Sequence, residues 1–342
     1  MARLDPAALA DVVGRHLGEA MSVEGLRRLS GGASRETWAF DVVGETGPPR
    51  ALVLRRDPST QLLGSARSTE YELIRAAEAA GVPVPTVRFL LDDADGIGTG
   101  FVMDRVEGET IPRKILRDDA YAAARAGLAR RCGEIAARIH AIDVATLPEL
   151  PTHAPHQEID QYRAALDNFG EPHPAFELAL AWLDDHAPPP PAAPRLVHGD
   201  FRNGNLIVGP DGLRSVLDWE LAHLGDPVED LGWLCVKSWR FGNVDRVAGG
   251  FGSVDELLAG YRTGGGTDVN PDHLRYWEAF GTLKWGVICI VQSFTHLNGL
   301  VRSVELATLG RRVAETEWDL LELLHPAPRP ARFDGSVTPG VT

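Results

Sequence analysis

The sequence is poor in cysteine, in net positive charge and in long apolar runs, and each shortage excludes a class of protein. The three cysteines are far apart in apolar segments, which argues against a disulfide framework and indicates free thiols in a reducing compartment; they are Cys132, Cys235 and Cys289. The formal net charge of −14 argues against a nucleic-acid partner. The best membrane candidate, residues 285–301, is shorter than the ~20 apolar residues of a span and carries polar side chains. We therefore predict a buried core helix there and a cytoplasmic protein with neither nucleic-acid nor membrane partners.

Several catalytic signatures are also missing. The sequence has no G-x-S-x-G hydrolase elbow, no G-x-G-x-x-G dinucleotide fingerprint and no zinc-spaced cluster. Its first residues carry Asp5 and Asp11 and lack the apolar core of a secretory signal. Asp5 before Pro6 instead predicts the capped start of an amphipathic helix.

Short strand-like runs and one helical run predict the organisation of the first third of the chain. Runs of strand composition lie at residues 25–30, 36–43, 51–56, 86–92 and 100–106. Between the third and fourth runs, residues 65–81 place apolar side chains at helical spacing. The pattern predicts an α+β protein with a five-stranded antiparallel sheet and one helix inserted after the third strand.

Past residue 107 the apolar period becomes helical, and a strand cluster at 195–218 interrupts the helices. The predicted helices lie at roughly 119–141, 156–168, 173–186, 229–240, 254–262, 272–297 and 303–325. The composition of residues 326–342 predicts a disordered tail.

A polar loop between two apolar runs carries the strongest chemical signal. In RLVHGDFRNGNLIV, residues 195–208, the side chains His198, Asp200 and Asn205 have the H-x-D-x-x-x-x-N spacing of the protein-kinase catalytic loop. Phosphoryl transfer needs positioning and charge neutralisation, and little covalent help. Asp200 is predicted to orient the attacking hydroxyl as catalytic base, and Asn205 to hold a magnesium ion. His198 belongs to the same catalytic set, where a brace for the loop is favoured over a second base.

A second carboxylate follows on a neighbouring strand. The turn signal GPDG predicts a hairpin that brings Asp218 beside Asn205, and hard oxygen donors of this kind suit Mg²⁺. Glu220 is either a further contact at this site or a solvated neighbour. In the segment GDPVEDL, Asp226 is predicted to cap the next helix and Asp230 to hold the catalytic loop from below.

The acceptor is predicted to be a small molecule with a hydroxyl group. Gly199 stands where protein kinases carry the arginine that reads a phosphorylated activation loop. The segment after Asp218 runs almost directly into a helix, which leaves no room for a peptide platform. A homodimer remains an open alternative to a monomer.

The stretch LVHGDFRNGNLIV, with VLDWELAHLGDPVEDLGWL after it, resembles the aminoglycoside phosphotransferase or choline-kinase-like family of small-molecule kinases. It is more closely similar to the kinase-like branch found fused to acyl-CoA dehydrogenases. The resemblance covers nearly all of the chain and implies a bilobal protein-kinase-like fold with ATP and Mg²⁺ in the cleft. It implies an N-lobe at residues 1–106 and a mainly helical C-lobe, with a small β-hairpin cluster, at 107–325.

The resemblance also implies a nucleotide site. The corresponding residues here are Gly31, Gly32, Ser34, Arg55, Glu70, Met103, Asp104 and Val106. Arg55 departs from the family because it stands in place of the usual phosphate-binding lysine. Its expected partner is Glu70, with Glu72 as the alternative.

The acceptor pocket is less well defined by the sequence. Lys284, His296 and Arg302 are candidate substrate contacts, although a salt bridge is the favoured interpretation of Lys284. An aminoglycoside needs an acidic pocket, whereas a hydroxyacyl-CoA needs basic groups, and the basic residues lean slightly toward the latter. The missing lysine leaves one alternative to an enzyme, a catalytically silent kinase-like nucleotide- or metabolite-binding protein.

Overall fold

A computed structural model describes residues 4–29, 36–45, 47–57 and 67–325. The predicted phosphate-loop residues Gly31, Gly32 and Ser34 and the predicted tail at 326–342 lie outside the described residues. The chain divides into two compact units. A first unit comprises Met1–Glu158 and Pro188–Glu278, and a second comprises Ile159–Ala187 and Ala279–Thr342. The boundary between an N-lobe and a C-lobe after Val106 stays a prediction.

The N-terminal helix α1, Pro6–Leu17, forms where the capping signal predicts it. The Asp5 side chain accepts a hydrogen bond from the backbone N–H of Ala7, and Gly18 ends the helix in the left-handed conformation. The helix buries an apolar face in the same core as the sheet described next, and that face comprises Leu9, Val12 and Val13. Packing of this face fixes the helix, since so short a helix is marginal alone.

An antiparallel five-stranded sheet follows, with strand order β1-β2-β3-β5-β4. Its strands are β1 Met21–Arg28, β2 Glu36–Gly44, β3 Arg50–Asp57, β4 Val87–Leu90 and β5 Thr99–Asp104. The helix α2, Arg67–Ala79, is inserted after β3. Together with the helical C-terminal part, this sheet confirms the predicted fold class. Strand β3 lies between β2 and β5 and is hydrogen-bonded on both sides, so Arg55 is carried by a rigid central strand.

Helices dominate the chain past residue 107. They are α3 Pro112–Arg117, α4 Ala122–His140, α5 Pro155–Phe169, α6 Pro174–Asp185, α7 Val228–Cys235, α8 Val254–Thr263, α9 Pro271–Leu297, α10 Val304–Leu309 and α11 Arg312–Leu324. The single helix predicted at 303–325 is wrong, because Gly310 and Arg311 separate α10 from α11. The helix predicted at 229–240 ends early, because Val236 has extended backbone, and a 3-10 turn continues the chain. Helix α3 was not predicted.

Four short strands position the polar loop. They are β6 Arg195–Val197, β7 Leu206–Gly209, β8 Gly212–Val216 and β9 His223–Gly225. Strands β7 and β8 form a hairpin, and β6 pairs with β9. The backbone N–H of Leu217 donates to the carbonyl oxygen of Asn205 at 2.8 Å. Asn205 and Asp218 therefore lie side by side at the base of the hairpin.

The predicted apolar segments are buried only in part. All three cysteines are buried and free, and burial raises the pKa of the Cys289 thiol to about 12. Within the described residues no helix is long and apolar enough to cross a membrane. The core helix predicted at 285–301 is wrong in its second half, because side chains past Ile290 emerge from the core and Leu297 is 76% exposed.

Candidate active site

The polar loop is anchored from below by one buried carboxylate. Asp230, on α7, accepts hydrogen bonds from the backbone N–H groups of His198 at 2.8 Å and Gly199 at 3.0 Å. The Nε2 atom of His140, at the end of α4, lies 3.0 Å from the same carboxylate. Burial opposes ionisation, but these hydrogen bonds and the charge of His140 outweigh it and lower the pKa of Asp230. The N-cap of α7 is Pro227, and the side chain of Asp226, one residue earlier, accepts from the N–H of Val228 at 3.0 Å.

His198 has the surroundings of a brace. Its ring is fully buried and lies 4.6 Å from the ring of Trp219, measured between centroids. Its Nδ1 accepts a hydrogen bond from the backbone N–H of Asp200 at 3.2 Å. Burial lowers the pKa of His198 and favours the neutral ring, whose hydrogen bond fixes the backbone of the catalytic loop.

Gly199, between His198 and Asp200, is required by the backbone conformation. Gly199 has a φ of 79°, and a Cβ atom there would lie 2.3 Å from the carbonyl oxygen of Leu221. Only glycine meets both conditions without strain. The absence of arginine at this position therefore has a steric cause.

The carboxylate of Asp200 is held by three side chains. Its Oδ1 accepts from Nε of Arg202 and from the indole N–H of Trp233, both at 2.8 Å. Its Oδ2 accepts from the amide nitrogen of Asn205. Sequence reasoning did not identify Arg202 or Trp233. Arg202 is two residues from Asp200, so its place in the loop could have suggested the contact. Trp233 is 33 residues away in the chain, and nothing in the sequence pointed to it.

Arg55 joins the sheet to the metal-ligand candidates. Its Nη1 lies 2.8 Å from Glu70 on α2, and its Nη2 lies 2.8 Å from Asp218 and 4.0 Å from Glu220. Burial lowers the pKa of Arg55, but the carboxylates overcome it and raise the pKa well above its ordinary value. Burial likewise opposes ionisation of Asp218, and the Arg55 charge outweighs it and lowers the pKa of Asp218. Glu72 instead pairs with Arg75 on the exposed face of α2.

Glu70 has a second buried partner. Arg67, at the start of α2, contacts Glu70 with one nitrogen and Asp57 with two others at 3.0 Å. Alternating charges therefore run from the end of β3 through α2 to Arg55. A network of this kind fixes Glu70 in one orientation.

The oxygen donors at the base of the hairpin suit a hard divalent cation. The amide nitrogen of Asn205 is used by Asp200, so its side-chain oxygen is the atom left to act as a ligand. The side chain of Asp218 is 34% exposed and that of Glu220 is 31% exposed, so both are accessible. Asp218 also adopts left-handed backbone with a φ of 71°, an arrangement concentrated at functional sites. The donor set fits Mg²⁺.

The predicted adenine contacts lie at the end of β5. Met103 is buried, and the side chain of Asp104 pairs with Arg88. The backbone N–H of Asp104 donates to the carbonyl oxygen of Thr86, so this N–H is already used within the sheet. Val106 lies two residues past the end of β5.

The remaining substrate candidates belong to the second unit. Lys284 is buried, Arg302 is exposed, and Nδ1 of His296 accepts from the backbone N–H of Ser303 at 3.1 Å. Their part in an acceptor pocket stays a prediction.

The sheet, the braced loop and the carboxylate cluster define a kinase-like phosphotransferase fold. The model of a family described as the phosphotransferase enzyme family, APH, matches residues 25–266, and the chain belongs to this family. The predicted resemblance is thereby confirmed.

Curated relatives are longer than this chain. It is 31% identical over 299 residues to acyl-CoA dehydrogenase family member 10 of Mus musculus, covering 79% of this chain and 27% of that protein. It is 30% identical over 249 residues to acyl-CoA dehydrogenase family member 11 of Homo sapiens, covering 65% of this chain and 31% of that protein. The chain thus spans about a quarter to a third of the length of these relatives.

Solved structures show the same fold. A protein from Ralstonia eutropha described as an aminoglycoside phosphotransferase superposes with a TM-score of 0.71 at 24% identity, covering 94% of this chain and 99% of that one. Spectinomycin phosphotransferase, solved with ADP and spectinomycin, superposes with a TM-score of 0.65 at 13% identity, covering 93% of this chain and 99% of that one.

Proposed function

We propose that this protein transfers the γ-phosphoryl group of ATP to a hydroxyl of a small molecule, with Asp200 as catalytic base. One observation carries the proposal. The side chain of Asn205 contacts Asp200, and its backbone pairs with Leu217, next to Asp218, which in turn contacts Arg55. Base, metal-ligand candidates and phosphate-binding candidate thus form one connected cluster inside the first unit. The solved relative with bound ADP and spectinomycin supports the same class of reaction.

The nucleotide would be held through its phosphates. Arg55, oriented by Glu70, offers a planar fork that can bind phosphate oxygens bidentately. Asn205 and Asp218, with Glu220 beside them, would hold Mg²⁺, which when bound neutralises charge on the phosphates. Because Arg67 holds Glu70 in place, Glu70 would keep the Arg55 guanidinium in one orientation before the nucleotide binds.

Asp200 would act on the acceptor. Its carboxylate accepts a hydrogen bond from the acceptor hydroxyl and aims the hydroxyl oxygen at the γ-phosphorus. The new oxygen–phosphorus bond forms as the bond to the β–γ bridging oxygen breaks. ADP leaves, and the hydroxyl proton passes to Asp200. His198 holds the loop in place without contacting the reacting atoms.

For the acceptor we propose a hydroxyacyl thioester or a related hydroxy acid rather than an aminoglycoside. The curated relatives are named for acyl-CoA dehydrogenases, and a kinase-like segment beside such an enzyme favours an acyl substrate.

A coupled ADP-release assay across hydroxyacyl and aminoglycoside acceptors tests the proposal. We expect Asp200→Asn to lower kcat by about 10²–10⁴-fold, because general-base positioning is lost. Asp211→Asn, at the exposed hairpin turn, is the matched control and should leave kcat unchanged. Magnesium-dependent nucleotide binding with no turnover on any acceptor would instead favour a silent binding protein, the alternative that the missing lysine motivates.

A further inference from the structure

The two carboxylate oxygens of Asp200 accept different numbers of hydrogen bonds. Each carboxylate oxygen offers about two acceptor positions. Oδ1 accepts from both Arg202 and Trp233, so its positions are filled. Oδ2 accepts from Asn205. Within the described part of the chain, one acceptor position on Oδ2 has no hydrogen-bond donor.

Arg202 also contacts an aromatic ring and approaches a glycine of the loop. Its guanidinium carbon lies 4.5 Å from the ring centroid of Trp239, a cation–π contact. The ring of Trp239 lies 5.2 Å from that of Trp233, measured between centroids. At Gly204, which has a φ of 127°, a Cβ atom would lie 2.5 Å from a guanidinium nitrogen of Arg202. The cycle Asp200, Arg202, Trp239 and Trp233 is therefore closed.

We propose that Arg202 is a positioning residue that fixes the Asp200 carboxylate with Oδ1 turned away and Oδ2 presented to the acceptor hydroxyl. Trp239 acts through Arg202 by holding its guanidinium plane. The inference deepens the proposed function and rests on it for its kinetic consequences. Its geometric content, a carboxylate pinned by Arg202, holds in the free protein.

An ordinary exposed ion pair would behave differently. Such pairs contribute little and tolerate substitution, because water replaces the partner. The Arg202 side chain is only 24% exposed and that of Asp200 is 13% exposed, which limits replacement by water. Lysine would supply the charge without the planar fork that stacks on Trp239, so it should restore function only in part.

Kinetics on the whole 342-residue chain test the proposal. We expect Arg202→Gln to lower kcat by about 10–100-fold and to change KM for ATP less than about threefold, because misorienting a catalytic group costs up to ~10²-fold. Arg202→Lys should recover part of the loss. Trp239→Leu should lower kcat about fivefold, and adding it to Arg202→Gln should cost nothing more, as expected for residues acting as a unit. Arg214→Gln, which removes an ion pair on the hairpin, is the control and should leave kcat unchanged.

Two results would overturn the proposal: an unchanged kcat in Arg202→Gln, or losses in the double variant that multiply.

A spectroscopic measurement tests the positioning of Asp200 separately from the proposed function. The indole ¹⁵N–¹H resonance of Trp233, assigned with Trp233→Phe, should shift in Arg202→Gln and stay in place in Arg214→Gln. If the wild type shows no turnover while this resonance shifts, the proposed function fails and the positioning holds. A resonance that does not shift refutes the positioning by itself.

Discussion

At the scale of single residues, one guanidinium connects the sheet to the catalytic cluster. Arg55 contacts Glu70 and Asp218 with different nitrogens, both at 2.8 Å. A lysine would have to make both contacts from one ammonium nitrogen, without the planar fork of arginine. Under the proposed function, Arg55 would bind phosphate from this position in place of the usual family lysine, and nucleotide affinity would depend on the position of α2.

We expect Arg55→Met to lower the free energy of unfolding by about 2–3 kcal/mol. This is less than the 3–5 kcal/mol typical of a broken buried ion pair, because Glu70 keeps Arg67 as a partner. Urea denaturation measures the loss, and calorimetry should show that ATP binding is lost with it. Arg50→Met, on the same strand but half-exposed, is the control, and an equal effect there would contradict the prediction.

Gly199→Ala tests the close approach of the loop to Leu221. We expect it to destabilise the protein by about 1–3 kcal/mol and to lower turnover, because strained backbone and a steric clash act together. Gly18→Ala is a matched control, since Gly18 has a φ of 78° and a Cβ atom there would meet no neighbouring group within 4 Å. Gly18→Ala should lower the free energy of unfolding only by the cost of the strained backbone, and it should leave turnover unchanged. Equal turnover losses in the two variants would show that the contact with Leu221 is unimportant.

At the scale of elements, helix α7 organises the site. It carries Asp230 under the polar loop and Trp233 beside Asp200, and Asp226 accepts a hydrogen bond from its first N–H group. This eight-residue helix thus fixes both the backbone of the loop and one oxygen of the Asp200 carboxylate. Displacement of α7 would therefore affect catalysis through two contacts at once.

Asp230→Asn should reveal this anchor through pH. The pKa of Asp230 is lowered in the folded protein, so its contribution to stability is present above the unfolded value of about 4 and is lost as pH falls below it. We expect the difference in unfolding free energy between wild type and Asp230→Asn to be about 2–4 kcal/mol at pH 7 and to shrink below about pH 4. Denaturant titrations at several pH values measure it, with Asp255→Asn on an exposed helix face as control. A difference that stays constant with pH would rule out the anchoring charge.

The sequence predicted the elements that carry a repeated apolar spacing or a turn signal, and it missed elements too short to carry either. The sheet, α2 and the β7–β8 hairpin follow from alternating or helical apolar spacing and from turn residues. Strand β9 has three residues and α3 has six, too few to show a period. The contact of Trp233 with Asp200 could not be predicted, since it depends on how α7 packs against the loop.

At the scale of the whole molecule, the charge of the cluster predicts how ligands stabilise the protein. Four carboxylates, on Glu70, Asp200, Asp218 and Glu220, face two guanidinium groups, on Arg55 and Arg202, which leaves this group of six with a net charge of −2. A divalent cation would compensate this charge. The formal net charge of −14 for the whole chain adds a general attraction for cations.

We expect ADP with Mg²⁺ to stabilise the protein by about 2.7 kcal/mol at a ligand concentration a hundredfold above Kd. Thermal unfolding with ADP alone, with Mg²⁺ alone and with both measures the effect. Asp218→Asn should lose the magnesium-dependent part and keep most of the rest. If EDTA leaves the stabilisation by ADP and Mg²⁺ intact, the carboxylate cluster does not bind the metal.

The burial of the native thiols makes the protein well suited to site-specific labelling. Cys132, Cys235 and Cys289 are all buried, and burial raises the pKa of each, so the reactive thiolate form is scarce at neutral pH. A cysteine introduced on the surface, for example at the exposed position 211, would react with a maleimide dye far faster than any of them. The protein could thus be labelled at one chosen position without first removing the native cysteines.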